Sequence, residues 1–211
     1  MIPLDERWQI ATVRHGETDY NRENRYAGTV DVALNENGRS DARAASARIK
    51  PMRFDVCISS PYKRATETAQ ILTGGSVEIV ACDYARERNY GVLQGRTSAE
   101  VEQVRPPIHF IKIGGDYHSI DPPGAETFKE LRERANLTFQ DILDHHMGKK
   151  VLLVSHGVFL QQFHGALRGV DWIEALGFHV GNLELTVFNF RGESVVSEDR
   201  VRLVDRGQSD F

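Results

Sequence analysis

Short apolar runs alternate along this chain with longer stretches in which apolar residues recur at helical spacing. Ile10-Ala11-Thr12-Val13 predicts a first buried strand that ends at a glycine-containing turn. Asn35 predicts an N-cap, since its short side chain can accept from the orphan N–H groups of a helix start. That helix runs through Ala42, Ala44, Ala45 and Ala47 and stops before Pro51. Val56-Cys57-Ile58-Ser59 predicts a second strand, and Ser60-Pro61 reads as N-cap and first helical residue of a helix running through Leu72 to Gly74-Gly75. A third strand is expected over Val77–Val80. From Arg86 to Tyr117 the pattern is irregular and contains Pro106-Pro107 and Gly114-Gly115. It predicts an excursion over the top of a sheet with one or two short helices.

The clearest helix follows Pro122-Pro123-Gly124. Thr127 and Glu130 form a capping box, Phe128, Leu131, Ala135, Phe139 and Ile142 keep helical spacing, and Gly148 is a stop. Val151-Leu152-Leu153-Val154 shows no polar alternation, as expected of a strand covered on both faces. A helix from about Phe159 to Leu167 and strands near Leu183–Phe190 and Val201–Val204 complete the pattern. The alternation predicts one α/β domain over residues 1–211, a three-layer α/β/α sandwich with a mostly parallel sheet, and leaves strand order open.

Composition narrows the partners. A net charge of −4 argues against a dedicated nucleic-acid binder, although local basic clusters can exist within an acidic whole. Cys57 and Cys82 make neither a disulfide framework nor a zinc set, and Cys57 in its apolar run predicts a buried reduced thiol. Met1 to Gln9 has no signal-peptide apolar stretch, and no run reaches the roughly eighteen apolar residues that span a membrane. A cytoplasmic protein without a membrane partner is therefore the default expectation. His145-His146 close a helix beside Lys149-Lys150, where positive charge opposes the helix dipole favourably.

In open α/β sheets ligands gather beyond the carboxyl ends of the strands. The first strand runs into Arg14-His15-Gly16-Glu17-Thr18, the second into Ser59-Ser60-Pro61 with Arg64 one turn later, and the Val151–Val154 strand into Ser155-His156-Gly157. One sheet edge would thus present two arginines and two histidines on turns whose glycines admit a ligand closely. Arginine's fork matches phosphate oxygens and keeps its charge at any working pH, and a helix N-terminus at Ser60-Pro61 would add backbone donors. A neutral histidine can attack phosphorus and form a covalent intermediate. Glu87, in Arg86-Glu87-Arg88-Asn89-Tyr90-Gly91 after the third strand, has the place for an acid that protonates the departing oxygen. Zinc is the competing use of two histidines, but neither has a His-x-x-x-His spacing with a third ligand. Each tripeptide alone is weak, and Glu87 alone would pass for a surface carboxylate. Their coincidence at the strand ends of one sheet carries the reading.

With these residues the sequence resembles the histidine phosphatase superfamily, in its phosphoglycerate mutase-like branch, over nearly the whole chain. Val13-Arg14-His15-Gly16-Glu17-Thr18 with Asn21 is similar to the family's opening signature, and Gly28, Asp31, Leu34 and Gly38 to a small segment after it. Ser59-Ser60-Pro61 with Arg64, Ala65, Thr68 and Ala69 resembles the second signature. Glu87, Gly91 and Gly95 resemble the acid-bearing loop, Pro123-Gly124 and Glu126 the next, and Ser155-His156-Gly157 the last. The resemblance implies His15 as the phosphorylated nucleophile, with Arg14, Arg64, His156 and Asn21 holding the phosphoryl group. Gly28 and Gly157 would border the substrate, and Glu87 would be the proton donor. It also implies a reaction without metal or organic cofactor, in which arginines and imidazolium stabilise the equatorial oxygens.

Two reactions fit this resemblance. The Glu87-to-Gly95 stretch is similar to that of cofactor-dependent phosphoglycerate mutases, and Tyr90 matches a substrate-contacting tyrosine there. Yet Ser98 stands where such mutases carry a lysine, Arg105 lacks their second arginine, and Val158 replaces their asparagine. A phosphatase acting on small phosphate esters is therefore the expected function, with a mutase as alternative because Arg96 could partly replace the lysine. A catalytically inactive phospho-ligand or protein binder is a third reading, disfavoured because Arg14, His15, Arg64, Glu87 and His156 are all present. Phe110, Tyr117 and His118 are expected to pack within the excursion rather than to line the pocket mouth. The oligomeric state is not legible in the sequence.

Overall fold

Along β1 (Arg7–Arg14) of the computed structural model, which describes residues 7–204, successive side chains divide between two cores. Ile10 enters one core, while Ala11 and Val13 enter the other. Helices supply the opposite wall of each. The order is β1, α1 (Asp19–Arg22), α2 (Glu36–Ile49), β2 (Val56–Ser59), α3 (Lys63–Thr73), β3 (Ile79–Ala81) and α4 (Ser98–Val101). Then come β4 (Phe110–Ile113), β5 (Asp116–Ser119), α5 (Phe128–His146), β6 (Lys150–Ser155), α6 (Gly157–Arg168), α7 (Trp172–Ala175), β7 (Glu184–Arg191) and β8 (Ser194–Arg202). Phe128, Leu131, Ala135 and Ile142 of α5 pack with Phe159, Leu160 and Phe163 of α6 on one face of the sheet. Ala42, Ala45 and Ile49 of α2 pack with Ala65, Ala69 and Leu72 of α3 on the other. Small alanines on that side let helix and strand backbones approach closely.

The sheet order is β3-β2-β6-β1-β7-β8. β3, β2, β6 and β1 run parallel, and β7 and β8 extend the sheet antiparallel. The expected three-layer α/β/α sandwich with a mostly parallel sheet is thus the observed architecture. Asn35 and the Thr127–Glu130 capping box open their helices as read from sequence. Cys57 is buried and free, and burial pushes its thiol up to about 12. No helix among the described residues is long and apolar enough to cross a membrane. Residues 1–6 of the segment read as lacking a leader lie outside the described residues.

Several boundaries differ for physical reasons. The helix expected from Pro61 begins at Lys63, because Ser60 has a distant partner described below and does not cap it. Asp31 accepts from the Lys63 N–H at 2.7 Å, so one of the backbone donors expected at that helix start is engaged by a carboxylate. The irregular excursion contains, besides the short helix α4, an antiparallel hairpin, β4–β5, turning at Gly114-Gly115, where only short helices were expected. β8 starts well before Val201, its mostly exposed residues held by pairing with β7 and not by an apolar pattern.

Gly38 explains how α2 reaches the end of β1. A Cβ there would stand 2.1 Å from the Glu17 carbonyl oxygen and 2.8 Å from its nitrogen. Gly38→Ala must push α2 away from the turn that carries His15. The expected cost is about 1–3 kcal/mol in urea unfolding, with a lowered kcat. Unchanged stability and full activity would contradict this account of the close approach.

Candidate active site

Three parallel strands end side by side. In the β1–β6 register Arg14 faces Ser155, and in the β2–β6 register Ser59 faces Val154. The next residues are His15, His156 and Ser60, so hydrogen bonding of the sheet itself gathers them. The register continues one step: the His15 N–H donates to the Ser155 carbonyl at 2.9 Å and the Ser60 N–H to Val154 at 3.0 Å.

His15 is buried, its ring 5.2 Å from that of His156. Its Nδ1 lies 2.7 Å from the Gly16 carbonyl oxygen. A carbonyl can only accept, so Nδ1 carries the proton and Nε2 keeps a lone pair. Burial, then the charges of Arg64 and Arg14, hold the His15 pKa well below its ordinary value, which keeps this neutral tautomer. Asn182 fixes the main chain by donating Nδ2–H to the His15 carbonyl at 2.7 Å, and Thr68 accepts from the Gly16 N–H at 3.0 Å.

His156 shows the reverse arrangement. Arg64 Nε donates to His156 Nδ1 at 3.1 Å, and a guanidinium cannot accept, so the ring proton sits on Nε2, which lies 2.8 Å from Ser60 Oγ. Burial and then Arg64 lower the His156 pKa well below normal. The expected imidazolium is therefore corrected: both rings are neutral at pH 7, and the positive charge of the site resides on Arg14 and Arg64. Arg64 is almost fully buried, with Nη1 and Nη2 each donating at 2.8 Å to the Val30 and Gly28 carbonyls. Three of its five N–H groups are so engaged, and two remain for an anion. Arg14 donates to the Val180 carbonyl at 2.8 Å and lies against Gly157, where an added Cβ would meet its Cζ at 3.3 Å. Asn21 uses its carbonyl oxygen in the Thr18 capping box, which leaves its amide N–H2 as donor.

Glu87 completes the cluster from the loop after β3. It is buried, contrary to the surface placement a lone carboxylate suggests. Its oxygens accept from Phe159 N–H at 3.0 Å and Val158 N–H at 3.2 Å in the first turn of α6, and from Arg88 N–H at 2.8 Å. Tyr90 stands edge-on to Tyr26 at 5.1 Å and borders Gly28, and its hydroxyl pKa is raised by burial and then by Glu87.

The sequence profile of the histidine phosphatase superfamily (branch 1) matches residues 10–201, which include all these side chains. The chain belongs to the histidine phosphatase superfamily. It is 34% identical over 164 residues to phosphoglycerate mutase-like protein 4 of Arabidopsis thaliana, covering 76% of this chain and 71% of that one. It is 31% identical over 163 residues to the uncharacterized phosphatase PhoE of Bacillus subtilis, covering 77% and 78%. The solved structure of Bacillus stearothermophilus YhfR superposes with a TM-score of 0.80 at 30% identity, covering 89% and 94%. Phosphatases and phosphoglycerate mutases both occur among the relatives.

In this superfamily member two cavities flank the cluster. One, of about 420 Å³, is bordered by Arg14, Asn21 and Asn182; the other, of about 630 Å³, by Glu87, Tyr62 and Thr29. Phe110, Tyr117 and His118 border neither; of the three expected to pack, only His118 does, edge-on against Phe128, while Phe110 and Tyr117 are exposed. Sequence reasoning missed Ser60 as the partner of His156, Asn182 as the clamp on His15, and buried Arg88, which stacks 3.9 Å over Phe128 and donates to the Ser119 carbonyl at 2.8 Å. Each role depends on a residue far along the chain, so no local signal announced it.

Proposed function

We propose that this protein hydrolyses small phosphate monoesters through a phosphohistidine on His15, with residues 1–211 acting as one catalytic domain. The observation that carries the reading is the His15 tautomer: Nδ1–H is fixed on Gly16 and the Nε2 lone pair stays free beside two arginines. In the first half-reaction Nε2 attacks phosphorus, the P–O ester bond breaks, and Glu87 passes a proton to the departing oxygen. Arg14, Arg64 and the Asn21 amide hold the equatorial oxygens, and His156 joins them when its Nε2–H shifts from Ser60 Oγ to the bound group. In the second, water attacks phosphorus, its proton goes to Glu87, the P–N bond breaks, and phosphate leaves. Charge is supplied by arginine, and no group of three His, Cys, Asp or Glu among the described residues could hold a metal.

A mutase must also retain a bisphosphorylated species while it turns, which calls for further cations. The cavity beyond Glu87 is bordered by Glu126, Glu130 and Glu133, against Arg86 and an Arg134 already paired with Glu126. Arg96 donates Nε–H to the Val92 carbonyl, Arg105 donates to the Glu102 and Val104 carbonyls, and neither borders the two cavities. Ser98 opens α4, and the Val158 N–H donates to Glu87. Each charge-assisted contact contributes about 1.5–3 kcal/mol, so two absent ones lower retention by roughly 10²–10⁴. With 3-phosphoglycerate, catalytic 2,3-bisphosphoglycerate and excess chelator, phosphate release is expected to outrun isomerisation at least about tenfold. Isomerisation running ahead of release would favour the mutase, and activity restored only by a divalent ion would contradict a metal-free site.

A further inference from the structure

Arg134 lies on α5, outside the strand-end cluster, yet all five of its N–H groups are engaged around the loop that carries Glu87. Nε and Nη2 donate to the two carboxylate oxygens of Glu126 at 2.6 and 2.8 Å. Nη1 donates to the Tyr84 carbonyl and, at 2.9 Å, to the Arg86 carbonyl; the second Nη2–H faces the Glu87 carbonyl at 3.4 Å. The ion pair is largely enclosed, its side chains 19% and 15% exposed. Glu126 ties into the same loop through its backbone, with its N–H donating to Asn89 at 2.9 Å and its carbonyl accepting from Arg88 Nε at 2.8 Å. Phe159 closes the far wall: its ring centre lies 5.6 Å from Arg134 Cζ, and its N–H donates to Glu87.

The Glu87 main chain is thus gripped from α5 and its carboxylate from α6. A carboxylate that must meet the departing oxygen needs both. Displacement of an acid by about 1 Å can cost on the order of 10² in rate.

We propose that Arg134, braced by Glu126, is a positioning residue for proton transfer by Glu87, and so determines how well the enzyme handles esters with basic leaving groups. The proposal rests on the reading of Glu87 as the acid. Lysine cannot replace the guanidinium, since one ammonium cannot bind Glu126 bidentately and span the carbonyls of 84, 86 and 87 together.

The experiment compares the purified full chain with Arg134→Lys, Glu87→Gln and the double variant on phosphate monoesters of graded leaving-group basicity, from nitrophenyl to alkyl. Arg134→Lys is expected to lose about 10²-fold in kcat on the alkyl ester, less than about threefold on the nitrophenyl ester, with KM little changed. Glu87→Gln should steepen the same dependence, and the double variant should lose nothing further on the alkyl ester. Equal losses on all esters for Arg134→Lys, with Glu87→Gln still selective, would make Arg134 merely structural and overturn the proposal. A Glu87→Gln variant without leaving-group selectivity would instead overturn the acid assignment, and the proposal with it. Should Arg134→Lys fail to fold, Glu126→Gln gives the same decision: selective loss supports the brace, and uniform loss rejects it.

Discussion

His15→Ala is expected to lower phosphomonoester hydrolysis by at least about 10⁴-fold, or roughly 5.5 kcal/mol of barrier at 1.36 kcal/mol per decade. The size follows from what is removed. Nε2 is the lone pair that the Gly16 hydrogen bond keeps free, and its loss closes the covalent route instead of weakening one contact within it. Phosphate binding should survive, because Arg64 is anchored by Gly28, Val30 and His156 without help from His15. Calorimetric titration of inorganic phosphate should therefore give a Kd within several-fold of the parent value. A rate loss below about 100-fold would mean that another group takes the phosphoryl.

Acid should destabilise the fold earlier and more steeply than its carboxylates alone explain. His15, His156 and His164 are buried and neutral, each with a pKa well below 6.5, principally through burial. His164 sits against Thr12 at 2.8 Å, away from the strand-end cluster. Below about pH 6.5 the unfolded chain protonates these histidines while the native state does not. The unfolded state then binds more protons, so stability rises with pH in this window and falls as pH drops. Each such proton contributes about 1.4 kcal/mol per pH unit, and three approach ~4 kcal/mol per unit once pH is about a unit below 6.5. That is a large share of the ~5–15 kcal/mol typical of a domain. Urea midpoints should be flat above pH 7 and fall sharply between pH 6 and 5, and His164→Gln should flatten the slope by about a third. Constant stability from pH 7.5 to 5 would contradict the buried neutral histidines.

Much of the fold was legible because its signals are local. Asn35, the Thr127–Glu130 box and the apolar run of β6 each hold their cause within a few residues. Ser60-Pro61 misled because the Ser60 hydroxyl belongs to His156, 96 residues away. β8 is mostly exposed and held by the backbone of β7, so it carries little apolar pattern, whereas the β4–β5 hairpin was overlooked although the largely apolar Phe110–Ile113 runs into the two-residue turn Gly114-Gly115. At the site, the residue types were readable and their protonation was not. The tautomers depend on which neighbour donates: a carbonyl beside His15, a guanidinium beside His156. Glu87 reads as a surface carboxylate until α6 brings two N–H groups to it.

The central claim is a phosphoryl group carried on His15, and it is tested by trapping the enzyme during turnover. Phosphohistidine is acid-labile, so the reaction is quenched in alkali and the protein mapped by mass spectrometry. The expected result is one phosphoryl group on the peptide containing His15, bonded to Nε2 by NMR and absent from His15→Ala. Label on His156, or an unlabelled enzyme during a burst of product, would contradict the account.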